Sequence, residues 1–224
     1  MSYSRLAIAA LGLALASSHA SAFLIQNAYD SFDFSWSYFE GEYDLTGTGK
    51  ITAAGFTDNS LTLQFSLTNS TLADSGGDAR LTAFGFGIGP NATKVTFFDD
   101  PNDGGMISAA LDNIPSLKTI EVCAFGGVNC PGGANGGIPG NGANDIFSLR
   151  LTGDFAKGAT IDLLGYKYQT DDGSYEFSCA TTSTNATSEN PCGGGSVSVP
   201  EPGTLALLGV AVAGLGFARR RKLN

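Results

Sequence analysis

The sequence predicts an all-β domain, an antiparallel β-sandwich or jelly-roll-like fold, set between a signal peptide and a short C-terminal hydrophobic helix. Three observations carry this reading. Leu61, Leu63, Phe65 and Leu67 alternate with Thr62, Gln64, Ser66 and Thr68, a period of two that puts four apolar side chains on one sheet face. Similar short runs recur at residues 32–39, 81–88, 95–98, 118–124, 146–151, 160–168 and 174–177. Turn-forming clusters separate them, as in Asp99-Asp100-Pro101-Asn102-Asp103-Gly104 and Asp171-Asp172-Gly173. Their Asp and Asn side chains bond locally to the backbone and their glycines supply positive φ. Short strands at turn-separated intervals point to a sandwich.

At the amino end, Arg5 precedes an apolar run from Leu6 to Ala16, then Ser17-Ser18-His19-Ala20-Ser21-Ala22. A charged start, a short apolar stretch and an Ala-x-Ala site describe a secretory signal over residues 1–22, recognised at Ala20 and Ala22 and cut after Ala22 by signal peptidase. The run is too short to span a bilayer. Cleavage has a chemical consequence, because His19 is the only histidine of the chain. Without it, Ser-His-Asp and Cys-His catalysis and His-bearing zinc sites are excluded. Paired carboxylates remain, and Glu40, Glu42, Glu121 and Glu176 are the loosely constrained acids a glycosidase would draw on.

Residues 23–180 are expected to form the β domain, large enough to bury a two-sheet core without a metal or cofactor. The segment from Met106 to Leu117 has room for one helical turn but is cut by Pro115. Phe32, Phe34, Trp36 and Tyr38 share one parity and so one strand face. Four aromatics there serve as core or as a stacking platform for a sugar ring. Core is preferred, since β domains need such residues inside. Residues 23–199 hold 7 Lys/Arg against 20 Asp/Glu, a formal −13. That surface repels nucleic-acid phosphates and anionic lipid headgroups, so no nucleic-acid partner is expected.

Cys123, Cys130, Cys179 and Cys192 fit an oxidising compartment and allow three pairings. Short separations favour Cys123 with Cys130 and Cys179 with Cys192. Neither pair has zinc-ligand spacing, and no Cys-x-x-Cys occurs. The glycine-rich stretch from Pro131 to Gly142 is read as a long exposed loop. Asp99, Asp100 and Asp103 offer neighbouring oxygen ligands, so Ca2+ is a weak candidate against the plainer reading of an acidic turn. Asn69-Ser70-Thr71, Asn91-Ala92-Thr93 and Asn185-Ala186-Thr187 match a glycosylation acceptor pattern expected by chance in such loops. Residues 181–198 read as a Ser/Thr/Gly-rich linker.

The remaining residues, 199–224, have three parts: Val199-Pro200-Glu201-Pro202-Gly203, an uncharged stretch from Thr204 to Ala218, and Arg219-Arg220-Arg221-Lys222. The basic cluster marks the cytoplasmic side and leaves Pro200-Glu201-Pro202 outside. The apolar part falls short of the roughly 20 residues of a stable span, which suits a transient anchor in the inner membrane. This order resembles the PEP-CTERM sorting signal of exported bacterial proteins. The resemblance implies processing by an exosortase, a membrane-embedded transpeptidase-like enzyme, with Pro200, Glu201 and Pro202 as recognition residues of a substrate. It also implies a Gram-negative host that makes exopolysaccharide, and a destination at the cell surface or its matrix. Lys167-Tyr168-Gln169-Thr170 and Gly173-Ser174-Tyr175-Glu176-Phe177 resemble stretches ahead of such tails, with no activity attached.

Three functions are weighed for the central domain: a non-catalytic surface or matrix component, a carbohydrate-binding module, and a carboxylate-based glycosidase. The first is preferred, because no phosphate loop, cofactor fingerprint or thiolate pair replaces the missing histidine. Extracellular polysaccharide is the partner it would meet, with divalent cations able to bridge two acidic polymers.

Overall fold

The structure, a computed structural model, describes residues 22–40, 43–72, 79–99, 104–131 and 136–181. Within them the chain runs through β1 (Phe23–Ile25), β2 (Ser31–Glu40), β3 (Tyr43–Thr57), β4 (Ser60–Asn69), β5 (Arg80–Gly89) and β6 (Lys94–Phe98). It continues through β7 (Ser108–Ala110), β8 (Val122–Phe125), β9 (Ala143–Thr152), β10 (Ala159–Gln169) and β11 (Ser174–Ala180). The strands form two packed antiparallel sheets. One has five strands in the order β2-β3-β4-β9-β6, the other six in the order β1-β10-β5-β8-β7. The sixth strand, β11, shares a side of β10 with β1: β1 pairs at Ala159, Thr160 and Ile161, β11 from Leu163 to Gln169.

The period-two reading of β4 holds throughout. Leu61, Leu63, Phe65 and Leu67 are all fully buried against the other sheet. Phe32, Phe34 and Trp36 of β2 are buried in the same core, so the aromatic row is core and Trp36 is no platform for an external sugar. Their neighbour β3 is the longest strand, and its sequence did not announce it. In register, Gly47 lies opposite Trp36 and Gly49 opposite Phe34. A Cβ at Gly47 would run into the Trp36 ring and one at Gly49 into the Phe34 ring. The glycines therefore act as bare backbone over which the aromatic rings lie, and the rings supply the packing that glycine lacks.

The six-stranded sheet is covered on both faces. Phe84, Phe86 and Ile88 of β5 point into the main core, while Ala83 belongs to a second small cluster with Ile114, Cys123, Phe125 and Cys130. A strap of residues 111–121 leaves β7, crosses the outer face and returns as β8. Ile120 of this strap drops into a notch made by Gly85 and Gly165, which are paired across β5 and β10. A Cβ at Gly85 would sit 2.5 Å from Ile120 Cγ2, and one at Gly165 2.8 Å from Ile120 Cγ1.

Two expectations are corrected here. No helical turn forms between Met106 and Leu117. Residues 108–110 pair as β7, and Ile114 to Leu117 close a reverse turn with Leu117 N donating to Ile114 O at 2.8 Å. Pro115 takes the second position of that turn, where its fixed φ is favourable. The glycine-rich stretch is not wholly an exposed loop either. Gly137 and Ile138 are buried, and Ile138 exchanges two 3.0 Å backbone hydrogen bonds with Leu81. Gly137 has φ +101°, which glycine adopts without steric cost. One isoleucine and one bare glycine thus dock a segment whose composition reads as solvated. Cys123 and Cys130 are joined as expected, with Cα atoms 6.2 Å apart. Cys179 is also disulfide-bonded; its expected partner Cys192 lies outside the described residues.

Candidate functional site

The chemistry-bearing side chains of the described residues gather in three places. The first is a hydrogen-bond network between the sheets, built on Asn69 at the end of β4. Asn69 is fully buried and uses its whole bonding capacity. Its Nδ2 donates to Ala79 O at 3.0 Å and to Ile138 O at 2.9 Å. Its Oδ1 accepts from Tyr168 Oη and from Thr71 N, both at 3.2 Å. Trp36 Nε1 donates to Tyr168 Oη at 2.9 Å, so one phenol ties β2, β4 and β10 together. Burial pushes the Tyr168 phenol well above its ordinary range, against the lowering effect of its hydrogen bonds with Trp36 and Thr71. Asn69 is the first residue of a glycosylation-type triplet, and its burial removes it as an acceptor. Asn91 of the second triplet is exposed and donates to Glu121 at 2.8 Å; Asn185 lies outside the described residues.

Beside this network Tyr166 is fully buried, tilted against Trp36 at 4.6 Å between ring centroids and stacked on Phe177 at 5.1 Å. Its hydroxyl has no hydrogen-bond partner among the described residues. Burial first, and the adjacent Tyr168 second, push this phenol far up. It holds its proton and is no base.

The second place is the outer face of the six-stranded sheet. Lys167 of β10 faces Glu176 of β11 in register, and Nζ meets Oε1 at 2.7 Å with both side chains largely buried. Lys167 Nζ also donates to Pro131 O at 3.0 Å, and Glu176 Oε2 accepts from Ser116 N at 2.8 Å. Burial alone would raise the Glu176 carboxyl. The hydrogen bonds from Lys167 and Ser116, with the Lys167 charge, outweigh it and hold the group below its ordinary value. Glu121, the other described acid weighed for glycosidase work, is engaged separately by Asn91 and by Ile88 N. The Glu40 and Glu42 side chains lie outside the described ones. Of the acids weighed for that chemistry, the two that can be placed have separate structural partners.

The third place is the outer face of the five-stranded sheet. Its cross-strand rows read Ser35–Thr48–Thr68–Asn144, Asp33–Lys50–Ser66–Ile146 and Thr52–Gln64–Ser148. Asn144 Nδ2 donates to Thr68 Oγ1 at 2.9 Å and to Ser66 Oγ at 3.2 Å. Asp33 and Lys50 form an exposed 3.7 Å ion pair. A depression of about 320 Å³ lies over Asp33, Thr48, Lys50, Ser66 and Thr68. Hydroxyls and amides dominate this surface, which suits multiple weak hydrogen bonds rather than bond-breaking chemistry.

Asp99 follows β6; Asp100 and Asp103, its companions in the calcium reading, lie outside the described residues. Among the described residues no group of three metal-ligating side chains comes together. Sequence reasoning missed Asp145, which is buried and accepts from Met106 N at 2.7 Å. Its only signal was a polar residue at an inward position of a strand that otherwise alternates. Ala22 directly precedes β1; Ala20, Pro200, Glu201 and Pro202 lie outside the described residues. No helix among the described residues is long and apolar enough to cross a membrane.

A family model described as the PEP-CTERM protein-sorting motif matches residues 198–222. No curated protein and no solved structure matches the chain. The chain thus ends in a PEP-CTERM sorting motif, which implies export, a membrane-anchored precursor and processing by an exosortase.

Proposed function

We propose that this chain, a PEP-CTERM-bearing export precursor, delivers a non-catalytic β-sandwich to the cell surface or extracellular matrix of a Gram-negative bacterium. The sorting motif is the observation that carries the reading. A signal peptide at residues 1–22 starts export, the apolar segment holds the precursor in the inner membrane, and Arg219 to Lys222 keep the end cytoplasmic. Exosortase then acts near Pro200-Glu201-Pro202. A structural role is supported by Asn69, Tyr168, Lys167 and Glu176, whose side chains all bond within the protein. Mass spectrometry of the product from an exosortase-bearing host tests the reading. The expected chain begins at Phe23 and lacks every peptide beyond the Pro200 region. Surface protein that retains Arg219 to Asn224 would refute it.

A second reading is favoured by the hydroxyl- and amide-rich face of the five-stranded sheet. In this reading the face binds a polyhydroxylated polymer such as extracellular polysaccharide through many weak contacts. Retention on neutral polysaccharide, lost when Thr48 and Ser66 are both replaced by arginine, would support it. Equal retention of the variant would exclude that face.

A further inference from the structure

We propose that the strap of residues 111–121 is an acid-released cover latched by the Lys167–Glu176 pair, and that it lifts while the sandwich beneath, β8 included, stays folded. The apolar cluster that holds the strap's outer turn is small. Ile114 of the strap packs with Ala83 of β5, Cys123 and Phe125 of β8 and Cys130, separately from the main core that joins the two sheets. Segments with few buried apolar contacts open at lower free energy than the global transition.

The latch joins three pieces at one point. Glu176 belongs to β11, its Oε2 holds the strap through Ser116 N, and its Oε1 holds Lys167, whose Nζ reaches Pro131 O, next to the disulfide's Cys130. Protonating Glu176 weakens two of these bonds together. It also leaves the Lys167 ammonium buried with a single carbonyl, an arrangement that costs free energy until water reaches it. Lifting the strap admits that water, so protonation and opening are linked in the same direction. The loss of strap protection occurs as pH falls through the carboxyl's folded value, which lies below its ordinary one.

Few other charges bear on this carboxylate. β10 presents Lys167, its other charged residue Asp162 being exposed beside Gly87 towards the far end of the strand, and β11 has no second charged residue. On the strap Ser116 is neutral, Asp112 and Lys118 are exposed, and Glu121 is bonded to Asn91 and Ile88 N. On β5, Arg80 registers with Gln169, beyond Lys167, which faces Ala83. β8 and Pro131 carry no charge, and Asp171 and Asp172 occupy the exposed β10–β11 turn. Beneath the strap lie Ala83 and the Gly85–Gly165 notch, so opening uncovers a narrow apolar groove.

Hydrogen–deuterium exchange on the full exported chain, corrected for the intrinsic pH dependence, tests this from about pH 7 to about pH 3. Residues 114–121 should lose protection in acid at least about tenfold more than β4 and β9. Glu176→Gln should open the strap already at neutral pH and flatten its acid response. The wild-type titration stands by itself should that variant misfold. Loss of protection in the strap and in β4 and β9 together, a strap indifferent to acid, or an acid response unchanged in Glu176→Gln would each overturn the proposal.

Discussion

Two tyrosines two positions apart on β10 have the same burial and opposite bonding. Tyr168 Oη receives a hydrogen bond from Trp36 and donates to Asn69, while the Tyr166 hydroxyl has no partner among the described residues. Removing a satisfied hydroxyl leaves its partners stranded; removing an unsatisfied one relieves a buried polar atom. Tyr168→Phe is therefore expected to cost about 2 kcal/mol in chemical denaturation. Tyr166→Phe is expected to be neutral or to stabilise by about 1 kcal/mol. Equal destabilisation by both would contradict the assigned network. The sequence marked both residues as apolar-patterned strand positions. It held no sign of the difference, because the partners of Tyr168 lie 132 and 99 residues away.

Among the elements, β3 and the strap show how one residue type hides structure. The 15 residues of β3 include Gly47, Gly49 and Gly55, and glycine in a strand reads as a break. The strand forms because Trp36 and Phe34 of β2 cover the bare positions, a compensation that exists only once β2 and β3 are in register. Gly85 and Gly165 work likewise for Ile120. Gly85→Ala is expected to destabilise by about 2 kcal/mol through overpacking, and to do so chiefly in the strap. Thermal unfolding measures the magnitude, and the variant's chemical shifts should move most at residues 114–121. Replacing Cys123 and Cys130 by serine opens a loop with a sequence separation of 7 and should cost about 2 kcal/mol. Denaturation of the reduced wild type, which also loses the Cys179 disulfide, should show at least that loss.

For the molecule as a whole, Glu176 links stability to acid. Its carboxyl is held low in the folded state, so its contribution is complete above the unfolded carboxylate value near ~4.3. It disappears as pH falls through the lower folded value. At neutral pH, Lys167→Met alone should cost about 3 kcal/mol, because it leaves a carboxylate largely buried without its cation. Lys167→Met combined with Glu176→Leu should recover most of that loss and abolish the Glu176-linked part of the pH dependence. Urea midpoints measured across pH for both variants decide this. A double variant as unstable as the single one would show that packing rather than charge is at stake.

The sequence alone determined the export address and the fold class, since both are written in local order. The C-terminal motif is a linear run of recognition residues, apolar stretch and cations, and the alternation of Leu61 to Leu67 states a strand face by its period. It also placed Phe32, Phe34 and Trp36 in the core and paired Cys123 with Cys130 by their nearness. Tertiary structure decided what depends on distant chain segments. Asn69 became a buried hub because residues 79, 138 and 168 converge on it. Gly137 and Ile138 joined the fold because β5 offered backbone bonds at Leu81. Lys167 and Glu176 became a latch because the β10–β11 hairpin faces them across one register while the strap closes over both. Such roles follow from packing at long sequence separation, which no local period or spacing records.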